Sequence, residues 1–249
     1  MLLQKLKYFF ILAAAVLIVG CNNSPVLGPL EQIIKSQTKW LVDNKSENKI
    51  AKVFYKEFGR LGNTILEEQY NSTGRLLVRK EVSVKGNIQI EDIAKFGENG
   101  EIVRSRNVYS LNEQGNVTER LTISGSGDTT LISKFTYYDN GKIKSEFEFN
   151  VNGDLLKKTN YMYNYNENGY ITGRLINDSP DASFKQRDSI VYHLNLNQVE
   201  HIIFDTEGAK EIVYIFFYDN FGNVLKEVQT DNVAIIQRKY LYEYTYWEF

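Results

Sequence analysis

Few residues in this chain have types and spacing that indicate chemistry. His193 and His201 are the two histidines, and their separation of eight would place both on one face of a continuous strand, as a candidate metal pair. Cys21 is the single cysteine, so we expect neither a disulfide nor a thiolate metal site. No further ligand stands near the histidines. We therefore predict no metal site and interpret both as strand residues beside a turn at Asn197.

Carboxylates are numerous, but no pair is singled out. A glycosidase needs two carboxyl groups that face each other across a cleft. Asp139, Asp219, Glu98 and Glu167 fall in expected turns, where such side chains bond to the backbone. The sequence has no nucleophile elbow, P-loop or zinc-protease motif. We predict no enzyme activity and no cofactor, and keep an enzyme that acts on glycan as an alternative.

Aromatic residues are the stronger binding signal. Tyr161, Tyr163 and Tyr165 alternate along one segment and would line one face of a strand. Such a row is a candidate face for binding a sugar or a peptide. The alternative is that these tyrosines form the packed face of a sheet, because strands are enriched in aromatic residues.

The first twenty-one residues carry an export signal. Lys5 and Lys7 precede a short apolar stretch from Tyr8 to Val19, a pattern typical of a secretory signal peptide. Ile18-Val19-Gly20-Cys21 resembles the bacterial lipobox. This resemblance implies cleavage before Cys21, a diacylglyceryl thioether on its sulfur, and acylation (for example with palmitate) of the new N-terminus. Two or three acyl chains anchor a protein stably to a membrane. Asn22 is not the Asp that retains enteric lipoproteins at the inner membrane, so we expect the outer membrane.

Composition restricts the remaining classes. The net charge is −2 and no basic run occurs, so we expect no nucleic-acid partner. Seventeen Gly against three Pro indicate turns made by glycine, and seventeen Tyr with fourteen Phe indicate strands.

A short unit repeats along the chain. An aromatic or apolar residue is followed four places later by Gly, and two places after that by an aliphatic residue, as in Tyr137, Gly141 and Ile143. A three-residue hairpin loop ends in a residue of left-handed conformation, usually Gly. With Gly141 in that place, Tyr138 and Lys142 close the hairpin and Tyr137 pairs with Ile143 on the same face.

The same unit predicts a series of turns. The predicted turn glycines are Gly74, Gly86, Gly100, Gly115, Gly141, Gly153, Gly169 and Gly222, with Asn197 and Asn232 in the equivalent place at two further turns. Most intervals between neighbouring glycines are even, which predicts that the fixed pairs share one face of one sheet. The interval from Gly100 to Gly115 is odd and predicts a bulge or a different loop.

Two segments depart from this pattern. Gly28-Pro29 opens a stretch in which Leu30, Ile33, Ile34 and Leu41 have roughly helical spacing, so we predict a short helix there, with a strand from Lys39 as the alternative. Residues 176–188 read as a loop. The predicted organisation is a signal peptide over 1–20, a lipidated N-terminus with the short helix over 21–48, and a hairpin repeat domain over 49–249.

Two units resemble known repeats. Tyr218-Asp219-Asn220-Phe221-Gly222-Asn223-Val224 resembles the YD repeats of RHS proteins, and Tyr138-Asp139-Asn140-Gly141-Lys142-Ile143 resembles MORN-variant repeats of exported bacterial proteins. The resemblance covers most of residues 54–228 and implies a chain of antiparallel hairpins. The predicted fold is therefore all-β, an elongated antiparallel meander of repeated hairpins.

The expected role is a lipid-anchored envelope protein. Repeat scaffolds offer extended surfaces, so we expect an extended β-surface that binds an envelope protein or a glycan. An antitoxin-like or immunity protein is the alternative that the repeat resemblance suggests. A membrane-spanning β-barrel is a further alternative, but turns about every twelve residues leave no long loops on one side.

Overall fold

A computed structural model gives the structure of the protein over residues 33–178, 185–205 and 207–247. Cys21 and the predicted signal peptide lie outside these described residues. The predictions of cleavage and acylation therefore stay predictions.

Sixteen strands follow one another along the described chain, and short loops join them wherever the connection is described. They are β1 (Ile34–Val42), β2 (Lys49–Phe58), β3 (Thr64–Tyr70), β4 (Leu76–Lys85), β5 (Ile88–Phe96), β6 (Ile102–Leu111), β7 (Val117–Ser124), β8 (Thr129–Tyr137), β9 (Ile143–Phe149), β10 (Leu155–Tyr165), β11 (Ile171–Asn177), β12 (Lys185–His193), β13 (Gln198–Phe204), β14 (Lys210–Tyr218), β15 (Val224–Asp231) and β16 (Ile236–Tyr246). One 3-10 turn, Leu194–Leu196, connects β12 to β13.

The sheet closes on itself. Each strand pairs antiparallel with its neighbours in sequence, and β1 also pairs with β16, with Lys39 opposite Tyr242 and Leu41 opposite Tyr240. The all-β, antiparallel prediction is confirmed, whereas the elongated meander is wrong because the two end strands join. Closure satisfies the N–H and C=O groups that both edge strands would otherwise expose.

The predicted N-terminal helix is wrong in its described part. Ile34 and Leu41 both lie in β1, which pairs with β2 on one side and β16 on the other. Tertiary pairing on two sides outweighs a helical spacing of a few apolar residues. The barrel therefore begins at Ile34, and the predicted boundary between residues 48 and 49 falls at the end of the β1–β2 loop.

The hairpin at Gly141 has the predicted geometry. The Tyr138 N–H donates to the Lys142 carbonyl at 2.8 Å, the Gly141 N–H donates to the Tyr138 carbonyl at 2.9 Å, and Tyr137 pairs with Ile143. Gly141 has a φ of 77°. All eight predicted turn glycines have positive φ.

Two turns differ in detail. Gly86 belongs to a two-residue turn in which Lys85 pairs with Ile88, so Val82 does not pair with Ile88 as the repeat predicted. At the last hairpin the left-handed residue is Ala234, with a φ of 64°, and not Asn232. Asn197 does have positive φ, at 49°.

Register shifts accompany most hairpins. Tyr137 pairs with Ile143 but Thr136 pairs with Ser145, which leaves Lys144 as an extra residue. Similar shifts occur beside Gly74, Gly115 and Gly153, whereas the hairpins at Gly86 and Gly100 have none. Bulges break the simple alternation of side chains. Even glycine spacing therefore does not by itself place all fixed pairs on one face.

Candidate functional site

The two faces of the sheet differ in how far they shield charged side chains from solvent. Glu67 pairs with Lys56 and Lys80 on one face, and its side chain is 7% exposed. Asp92 pairs with Arg106 on the other face, and both side chains are 51% exposed. Because a closed barrel has one concave and one convex face, we assign the protected face of Glu67 to the interior.

Each of the sixteen strands contributes a polar side chain to this inner face. We call this set the lumen ring. Its members, in strand order, are Lys39, Lys56, Glu67, Lys80, Glu91, Asn107, Arg120, Ser133, Glu146, Tyr161, Arg174, Asp188, His201, Tyr214, Glu227 and Tyr242. Five members are Lys or Arg and five are Asp or Glu, so the charges balance with His201 neutral.

The arc from β2 to β5 is a chain of ion pairs. Glu67 accepts from Lys56 Nζ and from Lys80 Nζ, each at 3.1 Å, and Lys80 Nζ also lies 3.8 Å from Glu91. Burial would raise the pKa of Glu67, but the charges of Lys80 and Lys56 outweigh it and hold the pKa below the usual 4.5. Glu67 is thus a buried, ionised carboxylate with two cationic partners.

The next arc is centred on Arg120. Its Nη2 donates to Ser133 Oγ at 2.8 Å and to Glu146 Oε1 at 3.2 Å. The Tyr161 hydroxyl donates to the other oxygen of Glu146 at 3.2 Å. Ser133 is fully buried in this arrangement. The guanidinium therefore joins β7, β8 and β9, and Tyr161 extends the chain of contacts to β10.

A compact cluster of Arg174, Asp188 and His201 spans β11 to β13. The Arg174 backbone N–H donates to Asp188 Oδ1 at 2.8 Å, and Arg174 Nε donates to Oδ2 at 2.6 Å. His201 Nε2 lies 3.0 Å from the same Oδ2 atom. Burial would raise the pKa of Asp188, but the hydrogen bonds from His201 and Arg174 outweigh it, and the pKa lies below the usual 3.8.

The ring closes around Glu227. Lys39 Nζ donates to Glu227 Oε2 at 2.8 Å, and the Tyr242 hydroxyl donates to the same oxygen at 2.6 Å. The Lys39 ammonium also lies 4.0 Å from the centroid of the Tyr240 ring. The Tyr240 ring therefore makes a cation–π contact with the Lys39 ammonium.

Two of the three predicted binding-face tyrosines point into the barrel. Tyr161 and Tyr163 share the parity of Arg174 and Asp188 on the inner face, and burial raises the pKa of Tyr163 to about 12. Tyr138 meets Tyr163 edge-on, with ring centroids 6.4 Å apart. Tyr165 lies past a register shift at the barrel rim, is exposed, and its hydroxyl accepts from Asn140.

The two histidines lie in different strands on opposite faces, so the arrangement of a metal pair on one continuous strand is wrong, whereas the interpretation of both as strand residues beside a turn at Asn197 is confirmed. His193 ends β12 on the outer face, 3.2 Å from Glu200, whereas His201 lies in β13 on the inner face. The 3-10 turn and the hairpin between them interrupt the continuous strand that the spacing assumed. Within residues 33–178, 185–205 and 207–247, no group of three or more His, Cys, Asp or Glu is arranged to hold a metal ion.

Water reaches the inner face. The side chains of Glu148 and Arg120 keep 30% and 27% of their exposure although both point inward. A barrel of about eight strands is filled by its own side chains, whereas about sixteen leave room for solvent. The inner face is thus a wet, charge-balanced surface lined by tyrosines.

The lumen ring was missed from the sequence, although a signal for it exists. Asp188, His201, Tyr214 and Glu227 are spaced thirteen residues apart, as are Arg120, Ser133 and Glu146. Thirteen is close to the turn-to-turn interval, so one polar residue recurs at one height in successive strands. A search for polar recurrence at the hairpin period would have found it.

Comparisons with known proteins give only weak structural likenesses. No protein-family model matches the chain, and a search of curated proteins finds no match. A porin-like protein from Bacteroides uniformis is similar over 85% of this chain and 98% of its own, with 14% identity and a TM-score of 0.41. A porin-like protein from Bacteroides vulgatus is similar over 86% of this chain and 99% of its own, with 13% identity and a TM-score of 0.33.

A third solved structure, the Tc holotoxin pore of Photorhabdus luminescens, is similar over 81% of this chain and 14% of its own, with 8% identity and a TM-score of 0.21. At these scores none of the three likenesses carries an argument about function. Separately, no helix in the described part of the chain is long and apolar enough to cross a membrane.

Proposed function

We propose that the chain is a lipid-anchored, non-enzymatic binding protein of the bacterial cell envelope, most simply of the outer membrane, and that its ligand site is the inner face of the barrel. The anchor rests on the sequence before Cys21. The site rests on one observation, the charge-balanced lumen ring with tyrosines beside it. This proposal replaces the extended outer surface that a meander would have offered.

The chemistry of the inner face suits a glycan. Sugars combine apolar ring faces, which stack on aromatic side chains, with hydroxyl groups that bond to fixed polar groups. Each of three tyrosines places its aromatic side chain next to a charged member of the lumen ring. Tyr161 lies beside Glu146, Tyr163 beside Arg174, and Tyr242 beside Glu227. Because the ring's charges balance, it favours a neutral polar ligand over an ion.

The state of two ring carboxylates, Glu67 and Asp188, supports a binding role. A general acid at neutral pH needs a raised pKa. The cationic partners of Glu67 and Asp188 instead lower both pKa values. These groups stay ionised and bonded, which suits fixed acceptors and not proton donors.

The outer face supports a barrel that stands in water beside the membrane. Arg79 bonds to Glu81 and Arg106 bonds to Asp92, and these outward-facing side chains lie in the middle of their strands. A spanning barrel presents an apolar band about 25 Å tall to lipid, where each Arg or Lys costs roughly 2–4 kcal/mol at the midplane. Charged pairs at mid-strand therefore argue against lipid contact along this wall.

The hairpin unit supports a common origin with the YD or MORN-variant repeats, which we also propose. Asn71, Asn112, Asn150, Asp205 and Asp219 each accept two backbone N–H bonds inside the loop, from the residues two and four places later. A recurring Asx residue three places before the glycine is a property of the unit itself.

Binding is tested by titration calorimetry with a β-1,4-linked N-acetylglucosamine hexamer and with peptidoglycan fragments. We expect heat of binding with at least one probe, its loss in Tyr163→Ala, and its retention in Tyr55→Ala, which removes a tyrosine from the outer face. Equal loss in both variants, or binding of a protein partner to the outer wall instead, would contradict a luminal site.

The anchor is tested separately. Cys21→Ser should leave an unacylated precursor, whereas the parent chain should give an acylated N-terminal Cys21 by mass spectrometry. An intact N-terminus from Met1, or cleavage elsewhere with a free thiol, would refute lipidation.

A further inference from the structure

The two rims of the barrel carry different loops. Both ends of the described chain meet at one rim, where the Trp247 N–H donates to the Ile33 carbonyl at 3.0 Å. We call this the N-terminal rim. Because hairpins alternate, it also holds the loops 59–63, 86–87, 112–116, 138–142, 166–170, 194–197 and 219–223. The opposite rim holds the other described loops.

Apolar loop tips cluster on one arc of the N-terminal rim. Leu61, Leu196 and Phe221 are 94%, 67% and 54% exposed at the tips of their loops. In the circular strand order these loops are consecutive, at β12–β13, β14–β15 and β2–β3, with the chain ends at β16 and β1 between the last two. The loops of the other arc carry Asn87, Gln114, Asn140 and Asn168 near their tips.

Contacts hold this arc together. Asn197 donates to Asn220 at 3.3 Å and joins the loops of Leu196 and Phe221. The Arg60 guanidinium lies 5.3 Å from the Trp247 ring centroid and ties the loop of Leu61 to the end of β16. The arc is thus one surface, defined here as the apolar arc of Leu61, Leu196, Phe221, Ile33 and Trp247.

The entry point of the chain indicates what covers this surface. Residues 21–33 join the proposed acylated Cys21 to Ile33, and twelve residues span at most about 40 Å even when fully extended. The anchor therefore enters the barrel at the N-terminal rim, which is the part of the barrel nearest to the tether. Exposed apolar side chains near a lipid interface lower their free energy by entering it.

We propose that the apolar arc docks on the lipid surface, so that the barrel stands tilted on its N-terminal rim with the opposite rim facing away. This inference rests on the proposed lipid anchor. The arc's neighbours include Asp219 and Arg60, of opposite charge, so docking relies on apolar contact and should not need anionic lipid.

The two native tryptophans report the orientation. Trp247 lies in the apolar arc, whereas Trp40 lies within β1 on the outer wall, where its Nε1 donates to Glu243. Two single-tryptophan variants of the acylated protein are compared: Trp40→Phe, which keeps Trp247, and Trp247→Phe, which keeps Trp40. Each is placed in phosphatidylcholine–phosphatidylethanolamine vesicles that contain brominated lipid. We expect Trp247 fluorescence to be quenched and Trp40 fluorescence to be unaffected, at low and high salt alike.

Matched substitutions separate docking from anchoring. The triple variant Leu61→Ser, Leu196→Ser, Phe221→Ser should lose the quenching of Trp247 while remaining in the vesicle fraction. Val151→Ser with Val233→Ser, which changes exposed tips of the opposite rim, should retain it. Equal quenching of both tryptophans, or quenching unaffected by the triple variant, would overturn the proposal and indicate a barrel lying on its wall or an arc covered by residues 22–32.

Failure of the anchor is distinguishable from failure of docking. Mass spectrometry reports acylation of Cys21 independently of fluorescence. If Cys21 is not acylated, the full chain with an N-terminal histidine tag is tethered to nickel-chelating lipid in the same vesicles. Quenching of Trp247 that depends on the apolar arc then supports docking, and its absence refutes it.

Discussion

His201 Nε2 on β13 lies 3.0 Å from Asp188 Oδ2 on β12, thirteen residues apart in sequence and side by side on the inner face. The same carboxylate accepts from the backbone and guanidinium of Arg174 on β11. One buried anion thus organises three strands. Interactions of this kind replace the apolar core that a smaller barrel would use.

We expect Asp188→Asn to destabilise the barrel by about 2–3 kcal/mol at pH 7, because it leaves the Arg174 charge buried without its partner. The depressed pKa of Asp188 contributes stability above the unfolded value of 3.8 and loses it as pH falls through the lower folded value. The parent should therefore lose stability below about pH 4, and Asp188→Asn should lose less. Urea unfolding at pH 7 and pH 3 measures both, and an identical pH dependence would contradict the cluster.

Glu67 and Asp92 form a matched pair on opposite faces. Glu67→Ala removes the carboxylate that Lys56 and Lys80 share and leaves Lys80 only the more distant Glu91, so we expect a loss of roughly 3 kcal/mol in the free energy of unfolding. Asp92→Ala breaks an ion pair that is half exposed on both sides, and should cost no more than about 1 kcal/mol. Chemical denaturation of the two variants compares them. Similar losses would mean that the inner and outer faces are assigned incorrectly.

The sequence predicts strands and turns well because both are local. Gly141 and its neighbours determine a loop whose hydrogen bonds lie within five consecutive residues, 138–142. Closure of the barrel is not local. It requires Lys39 of β1 to pair with Tyr242 of β16, about two hundred residues later, and this depends on the summed twist and tilt of all the strands between them. The helical expectation for β1 fails for the same reason, because one of the two strands that pair with it, β16, lies at the other end of the chain.

The inner site was predicted in part. Alternation placed Tyr161 and Tyr163 on one face, but nothing in a single strand tells which face becomes concave. Glu67 and Glu81 look alike in sequence, but pairing across three strands gives Glu67 two lysine partners, whereas Glu81 bonds to an exposed arginine of its own strand. The pairing register determines which glutamate faces the interior. A bulge shifts this register at most hairpins, and the repeat pattern alone does not reveal the bulges.

Ala234 offers a stabilising substitution. It has a φ of 64°, in the region that costs a residue with a Cβ about 1–2 kcal/mol. Its N–H donates to the Asp231 carbonyl at 3.2 Å, and glycine keeps this bond. We expect Ala234→Gly to raise the free energy of unfolding by roughly 0.5–1 kcal/mol after the extra entropy of unfolded glycine is subtracted. Asn232→Gly, two positions earlier in the same loop, should not stabilise, and a gain there in place of 234 would mean that the loop register is different.

The pair beside the turn is tested with Tyr137. Its ring packs opposite Ile143, and its hydroxyl donates to the Val117 carbonyl at 2.5 Å. Tyr137→Ala should destabilise by at least about 1 kcal/mol, because it removes the cross-strand pair and leaves that carbonyl without its donor. Lys142→Ala should be nearly silent, since Lys142 closes the hairpin through its backbone. Equal effects in urea unfolding would show that the pairing is wrong.

Gly141 isolates the contribution of backbone conformation. A Cβ built on it meets no atom within 4 Å, so substitution causes no clash and the cost comes from the φ of 77° alone. Gly141→Val should therefore lower the free energy of unfolding by about 2 kcal/mol, because branched side chains suit the left-handed region worst. Gly141→Asn should cost less than half as much, consistent with Asn197, which has a φ of 49° at its own turn.

Gly125 provides the contrast, because its φ is ordinary and a Cβ there would lie 3.0 Å from the Arg104 carbonyl oxygen. Gly125→Ala should therefore destabilise the barrel through crowding. If Gly141→Val and Gly141→Asn were equally costly in chemical denaturation, the left-handed conformation would not be what selects glycine at this turn.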